Sequence, residues 1–248
     1  MKETSRLDAA LVSRGLAVSR ERARALILAG RVRVNGAMIS KAGSPVGPDD
    51  DISLIEPDHP YVGRGGVKLA HALDVFGIDV TDRIALDIGA STGGFTDVML
   101  RRGAARVVAL DVGHNQLDWR IRHDPRVIVL EHINARALTP DQLPDEARVF
   151  AIVTMDVSFI SVRHILPAIV PLLDLGADLV VLVKPQFEAG REEVGKGGLV
   201  RDPAVHTRVI DEVAAAADAL GLTRVAMTES PITGTEGNRE FFLHLIHG

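Results

Sequence analysis

The chain has 248 residues, a net charge of −5, 46% apolar and 25% charged residues, and no cysteine. That length accommodates one large domain with a small companion, and the missing cysteine excludes disulfides, thiolate zinc sites and any reaction through a covalent Cys adduct. The charge is uneven: residues 1–48 hold 9 Lys/Arg against 3 Asp/Glu, leaving 19 against 30 for the rest, so a basic head suited to a polyanion precedes an acidic body. The opening MKETSRLDAALVSRG lacks the apolar segment of a signal peptide, and Pro167, Pro171, Asp174 and Asp178 interrupt the most apolar stretch. A cytoplasmic protein with no membrane span is expected.

Leu7, Ala10 and Leu11 recur at helical spacing and predict a short amphipathic helix ending near Gly15. Ser19 suits the N-cap of a second helix that buries Ala23, Leu26 and Ile27 and stops at Gly30. Arg20 and Arg24 then share an outward face. In RVRVNG, Val32 and Val34 point one way and Arg31 and Arg33 the other, and Asn35-Gly36 signals a hairpin. Two helices and a hairpin thus gather Arg20, Arg22, Arg24, Arg31 and Arg33, whose forks suit bidentate phosphate contacts. The acidic run Asp49-Asp50-Asp51 reads as a solvated turn before a strand instead of a metal site.

This order of elements, with R-G-L-A-x-S-R followed by G-x-V-x-V-N-G, resembles the S4-type RNA-binding domain. The resemblance implies structured RNA as partner, with Arg6 and Arg14 joining the five arginines above as candidate contacts. It suggests an S4-type domain over 1–58, a linker over 59–64 and a catalytic domain over 65–248.

From about residue 80 apolar runs alternate with helical stretches. IALDIGA (84–90), RVVALDV (106–112), VIVLEHI (127–133), VFAIVTMDV (149–157) and LVVLVKP (179–185) read as buried parallel strands separated by helices. RVAMTES (224–230) and EFFLHLI (240–246) read as a closing hairpin whose last strand runs antiparallel. An α/β fold, five parallel strands plus an antiparallel C-terminal hairpin, resembles the Rossmann-like sheet of S-adenosylmethionine-dependent methyltransferases.

LDIGASTGGFTDVML is a strand, a glycine-rich turn and a helix. Its glycines admit close approach and positive φ, and the helix N-terminus offers N–H groups to a carboxylate. The spacing G-x-x-x-G-G departs from the dinucleotide fingerprint, and the Walker-like string from Gly190 to Lys196 lacks the following Ser/Thr. The expected cofactor contacts are Asp87, Gly89, Ala90, Ser91, Gly93, Gly94 and Phe95, with Asp111 on the ribose hydroxyls and Asn134 on the adenine.

The fourth strand ends in MDVSF, without the D/N-P-P-[FYW] string that orients an exocyclic amine. Lys68 in RGGVKL, Asp156, Lys184 in VKPQFE and Glu240 in NREFF are expected around the ligand-binding edge of the sheet. Two lysines and two carboxylates suit a ribose 2′-OH, a poor nucleophile that must lose its proton as it attacks a methyl. A partly desolvated lysine beside a second ammonium can serve as base. Lys184 is expected as that base, Asp156 as its guide, and Lys68 and Glu240 as groups that orient the ribose and tune Lys184.

RGGVKL, LDIGASTGGFTDVML, DVSFIS, VKPQFE and GNREFF together resemble the TlyA (haemolysin A) family, in which an S4-type domain is fused to an FtsJ-like methyltransferase with a K-D-K-E tetrad. The resemblance implies S-adenosyl-L-methionine as cofactor and 2′-O-methylation of cytidines in ribosomal RNA of the small subunit, with the large subunit as a second candidate. Ribosomal RNA or ribosomal subunits are then the partners, and a monomer without metal is expected. One departure is His59-Pro60-Tyr61-Val62, where the family often has an Arg-Ala-Trp-Val-like tetrapeptide. A membrane-lysing haemolysin and a non-catalytic RNA-binding assembly factor are the rival classes. The missing signal peptide opposes the first, and the intact glycine loop and tetrad oppose the second.

Segment 186–202 is long, Gly-rich and charged. It predicts either a mobile flap that orders on RNA through Arg191, Lys196 and Arg201, or a disordered spacer. Trp119 reads as core packing or a lid over the adenine site. The nine histidines show no H-x-x-x-H ligand spacing.

Overall fold

Leu7 and Leu11, one turn apart on helix α1 (Leu7–Ser13), are both fully buried and begin a small core with Ala23 and Ile27 of α2 (Arg20–Leu28). Burying each such aliphatic side chain contributes about 1.5–3 kcal/mol. The computed structural model describes residues 4–17, 19–28, 30–55, 59–234 and 236–248. Two compact units divide the chain, Met1–Pro60 and Tyr61–Gly248. The expected domain end at residue 58 lies outside the described residues, whereas Tyr61 and Val62 already pack on the core of the second unit.

In the first unit the Ser19 hydroxyl accepts the Arg22 N–H at 3.1 Å and caps α2 as its position predicts. Strands β1 (Ser5–Arg6) and β4 (Pro45–Val46) pair with each other. Strand β2 (Val32–Val34) lies between β3 (Ala37–Met38) and β5 (Ile52–Leu54), antiparallel to both. Asn35 and Gly36 take φ of 50° and 80°, the paired left-handed conformations of a tight hairpin turn. The acidic run is a structural turn: Asp50 Oδ1 accepts from Asn35 Nδ2 and Oδ2 from the Gly47 N–H, while the Asp51 N–H reaches Asn35 Oδ1.

The second unit opens with α3 (Gly65–Phe76) and builds one seven-stranded sheet. Its strands are β6 (Ile84–Ile88), β7 (Arg106–Leu110), β8 (Val127–Leu130), β9 (Phe150–Met155), β10 (Leu173–Val183), β11 (Leu222–Glu229) and β12 (Phe241–His247). Their spatial order is β11-β12-β10-β9-β6-β7-β8. The first five run parallel, and β12 is antiparallel to both β10 and β11. The chain winds from β6 outward to β8 and then returns to the other side of β6 as β9, so the C-terminal ends of β6, β7 and β9 flank a topological switch point where ligands bind.

Helices α4 (Gly94–Arg101) and α8 (Pro203–Asp218) cover the sheet as the alternating pattern implies. The connections around β8 differ from that pattern. Only the four-residue α5 (Trp119–Arg122) precedes β8, three 3-10 turns precede β9, and α6 (Leu166–Ile169) with two 3-10 turns precedes β10. Pro140, Pro167 and Pro171 open such turns, and a ring without an N–H suits a first turn but not a helix interior. Strand β10 also begins earlier than predicted, with a register break between Leu173 and Asp178. Among the described residues no helix is long and apolar enough to cross a membrane.

Candidate active site

At the end of β6 the chain turns sharply at Gly89, where φ is +81°. A Cβ there would lie 2.3 Å from the Asp156 carbonyl oxygen, so no side chain is admitted. Ser91 and Gly93 also take positive φ, and Gly93 caps α4. A Cβ on Gly94 would lie 2.9 Å from the Gly66 amide nitrogen, which explains why α4 begins on glycine where it meets α3.

Asp111, just beyond β7, holds this loop. Its Oδ2 accepts the Ser91 N–H at 2.8 Å and its Oδ1 the Gly113 N–H at 2.7 Å. Each oxygen keeps a lone pair for another donor. Gly89, Ser91, Asp111, Gln116, Asn134 and Asp156 help line a cleft of about 300 Å³ at this edge of the sheet. Asn134 caps a 3-10 turn by accepting the Arg136 N–H at 3.0 Å.

The other predicted cofactor residues stand behind the cleft. Ala90, Gly93, Gly94 and Phe95 shape the loop and the start of α4, with Phe95 buried against Phe242. Asp87 lies fully buried below, accepting the Thr96 hydroxyl at 2.6 Å and the Thr154 hydroxyl at 3.2 Å. Burial pushes its carboxyl up to about 7; the two hydroxyls oppose that rise and the nearby Asp156 adds to it.

Sheet register places three of the four tetrad candidates, and helix α3 brings the fourth. Val183 of β10 pairs with Phe241 of β12, which sets Lys184 beside Glu240, and Val181 pairs with Met155, which sets Asp156 on the neighbouring strand end. Lys184 Nζ lies 2.6 Å from Asp156 Oδ1 and donates to the Ser158 hydroxyl at 2.9 Å. Lys68, from α3, meets Glu240 at 2.5 Å. Both lysines and Glu240 are buried. The geometry is therefore two Lys–carboxylate pairs, Lys184 with Asp156 and Lys68 with Glu240.

Ser158, Phe159 and Glu188 were not singled out from sequence, although each sits in a quoted motif. Phe159 is 91% exposed at the rim of the cleft and packs on Phe187, their ring centres 5.2 Å apart. Glu188, at the end of α7 (Pro185–Glu188), is buried and accepts the Ser161 hydroxyl at 2.6 Å and the Val162 N–H at 2.8 Å. Burial raises its carboxyl above the usual range, while Ser161, Val162 and Arg163 work in the other direction. It thus braces the segment bearing Lys184 against the segment bearing Asp156 and Ser158.

Segment 186–202 is folded and tied down. Gly195 bridges Leu199, and the buried Asn238 accepts the Val200 N–H at 2.9 Å and donates to the Gly198 carbonyl at 2.8 Å. These contacts differ from the free flap or spacer that its composition predicts. Trp119 is neither core nor a wall of the cleft: it is 68% exposed and packs on His123.

In the first unit, Arg6, Arg20 and Arg24 all reach the buried carboxylate of Asp8. Arg14 instead donates to the Gly47, Pro48 and Asp50 carbonyls and secures the acidic turn. Arg33 lies on the exposed side of β2, opposite buried Val32 and Val34, with Arg31 half-exposed just before the strand. Arg22 sits half-buried on α2.

Residues 61–247 match the FtsJ-like methyltransferase family and residues 5–52 match the S4 domain. The chain is 47% identical over 246 residues to a Mycobacterium tuberculosis protein named 16S/23S rRNA (cytidine-2′-O)-methyltransferase TlyA, covering 99% of this chain and 91% of that one. It is 42% identical over 241 residues to Hemolysin A of Brachyspira hyodysenteriae, covering 97% and 99%. A solved hemolysin-type structure from Streptococcus thermophilus superposes with a TM-score of 0.77 at 43% identity, over 100% of this chain and 90% of that one. Agreement across the whole sheet unit, and near-half identity from end to end, mean that the chain belongs to the FtsJ-like methyltransferase family, in its TlyA/hemolysin A group.

Proposed function

We propose that the protein methylates the ribose 2′-hydroxyl of cytidine in ribosomal RNA, with S-adenosyl-L-methionine as methyl donor. The observation that carries this reading is the Lys184–Asp156 pair beside a cleft walled by the glycine loop and Asp111. The donor set fits the cofactor: Asp111 retains acceptor capacity for two ribose hydroxyls, Asn134 and the apolar Ile133 and Val112 suit an adenine, and the glycine loop leaves room for the methionine end. S-adenosylmethionine supplies, when bound, an electrophilic methyl on a positively charged sulfur.

The chain's own residues then handle one proton. As the ribose O2′ forms its bond to the methyl carbon, and that carbon parts from sulfur, the hydroxyl proton passes to the amine form of Lys184 Nζ. Asp156 and Ser158 hold Nζ in one orientation, and general-base catalysis of this kind contributes about 10²–10⁴-fold. Lys68 and Glu240 form a second buried pair on the neighbouring elements, and the exposed ring of Phe159 offers the target base an apolar surface. The arginines of the S4 domain suit the RNA backbone, a contact that fixes position without reading sequence.

The test is transfer of radiolabelled methyl from S-adenosylmethionine to isolated ribosomal subunits and to naked rRNA. The proposal expects label in rRNA at a cytidine whose 3′ linkage resists alkaline hydrolysis. Label on a base, or none on any rRNA despite cofactor binding, would overturn it. The name of the Brachyspira relative carries the rival reading. Lysis of red cells by an Asp111→Ala variant that no longer binds cofactor would support that rival.

A further inference from the structure

Three arginines, Arg6 from β1 and Arg20 and Arg24 from α2, converge on one buried acid in the first unit. Arg6 Nε lies 3.0 Å from Asp8 Oδ1 and its NH2 3.0 Å from Oδ2, a two-point contact, while Arg20 NH2 and Arg24 Nε reach Oδ2 at 3.3 and 3.1 Å. The Asp8 side chain is 0% exposed, whereas the three arginines are 53%, 54% and 53% exposed. Gly43 passes beside the cluster, where a Cβ would come within 3.0 Å of Arg6 NH1. One guanidinium suffices to neutralise a buried carboxylate. Three leave a net charge of +2 at the surface, with most of their five N–H donors each still directed elsewhere.

We infer that Asp8 is a positioning residue for RNA binding: its buried carboxylate clamps Arg6, Arg20 and Arg24 into one preformed phosphate-binding cluster, so removing this negative charge weakens the grip on a polyanion. The inference rests on the RNA-directed reading of the first unit given above. Long side chains lose rotamer freedom when they engage a ligand, and a cluster held in place beforehand loses less of it on binding. The Asp8 carboxyl stays charged across the working range, because Arg6 foremost, and then Arg24 and Arg20, hold it well below the usual carboxylate range against the opposing effect of burial. Simple electrostatics makes the opposite forecast, since deleting an acid from a basic face should tighten RNA binding.

The two forecasts are separated by measuring the affinity of the full chain for an unmodified small-subunit rRNA transcript over a series of salt concentrations. Asp8→Asn is compared with Glu21→Gln, which removes an exposed acid of α2 outside the cluster. The expected result is about tenfold weaker binding and a shallower salt dependence for Asp8→Asn, with Glu21→Gln equal to wild type or tighter. Asp8→Asn binding as well as wild type, with the same salt slope and native circular dichroism, overturns the inference alone. Wild type failing to bind at any salt overturns the RNA reading and this inference with it. Should Asp8→Asn unfold the unit, Arg24→Lys decides: charge and acid are retained but the fork is lost, so severalfold weaker binding supports the clamp and unchanged binding overturns it.

Discussion

Gly89 and Asp156 touch through their backbones, close enough that a Cβ on Gly89 would sit 2.3 Å from the Asp156 carbonyl oxygen. The glycine loop and the strand end that carries the proposed lysine guide are therefore one packed unit. Gly89→Ala must push Asp156 away or leave its own left-handed φ. Methyl transfer should fall at least tenfold and stability by about 1–3 kcal/mol, checked by kinetics and denaturant unfolding. Wild-type rates in Gly89→Ala would show that the contact does not govern the site.

Lys68 and Glu240 form a buried ion pair, so removing one partner strands the other. Lys68→Ala should destabilise the protein by about 3–5 kcal/mol, whereas the double change Lys68→Met with Glu240→Leu should recover much of that loss. Activity should stay low in both. Unfolding curves for Lys68→Met, Glu240→Leu and the double variant measure the coupling directly. Full activity in the stable double variant would remove this pair from the mechanism.

Asp87 predicts a pH dependence of stability. Its carboxyl is raised from 3.8 to about 7, chiefly by burial. The folded state therefore favours its protonated form: the stabilisation is fully present below the unfolded value and is lost as pH rises through about 7. Asp87→Asn mimics the protonated acid and should lack this loss, gaining about 2–4 kcal/mol relative to wild type between about pH 4 and about pH 8. Parallel melting curves for the two proteins across that range check it, and identical pH profiles would contradict it.

Much of the sheet was legible because parallel strands buried on both sides give unbroken apolar runs, as in IALDI and LVVLV. Asn35-Gly36 and Ser19 were legible for a local reason: turn and cap chemistry depends on the residues within a few positions. The thin connections around β8 were not, since periodicity does not reveal how few turns Pro140, Pro167 and Pro171 leave. Long-range partners were equally hidden. Asp8 counted as one of three acids in a basic head, and only the fold shows it beneath three arginines. Asn238 lies in GNREFF, but its hold on segment 186–202 spans some forty residues of chain. Strand ends could be aligned from sequence, which is why Lys184, Asp156 and Glu240 were candidates, yet their pairing with Ser158 and Lys68 needed the register.

Glu188 should act on rate more than on substrate affinity. Glu188→Ala removes the acceptor shared by Ser161 and the Val162 N–H and frees the Lys184 segment from its neighbour. A fall of about tenfold in kcat with KM little changed is expected, with Glu188→Gln partly restoring it. Steady-state kinetics of both variants check this, and a pure KM effect would contradict it.

The most direct test of the account is single-turnover methyl transfer by Lys184→Ala, with S-adenosylmethionine and rRNA binding measured on the same preparation. A base held by Asp156 predicts a loss of at least about 100-fold in the transfer rate with both affinities close to wild type. Transfer at the wild-type rate, or a loss explained entirely by failure to bind cofactor, would contradict the role given to Lys184.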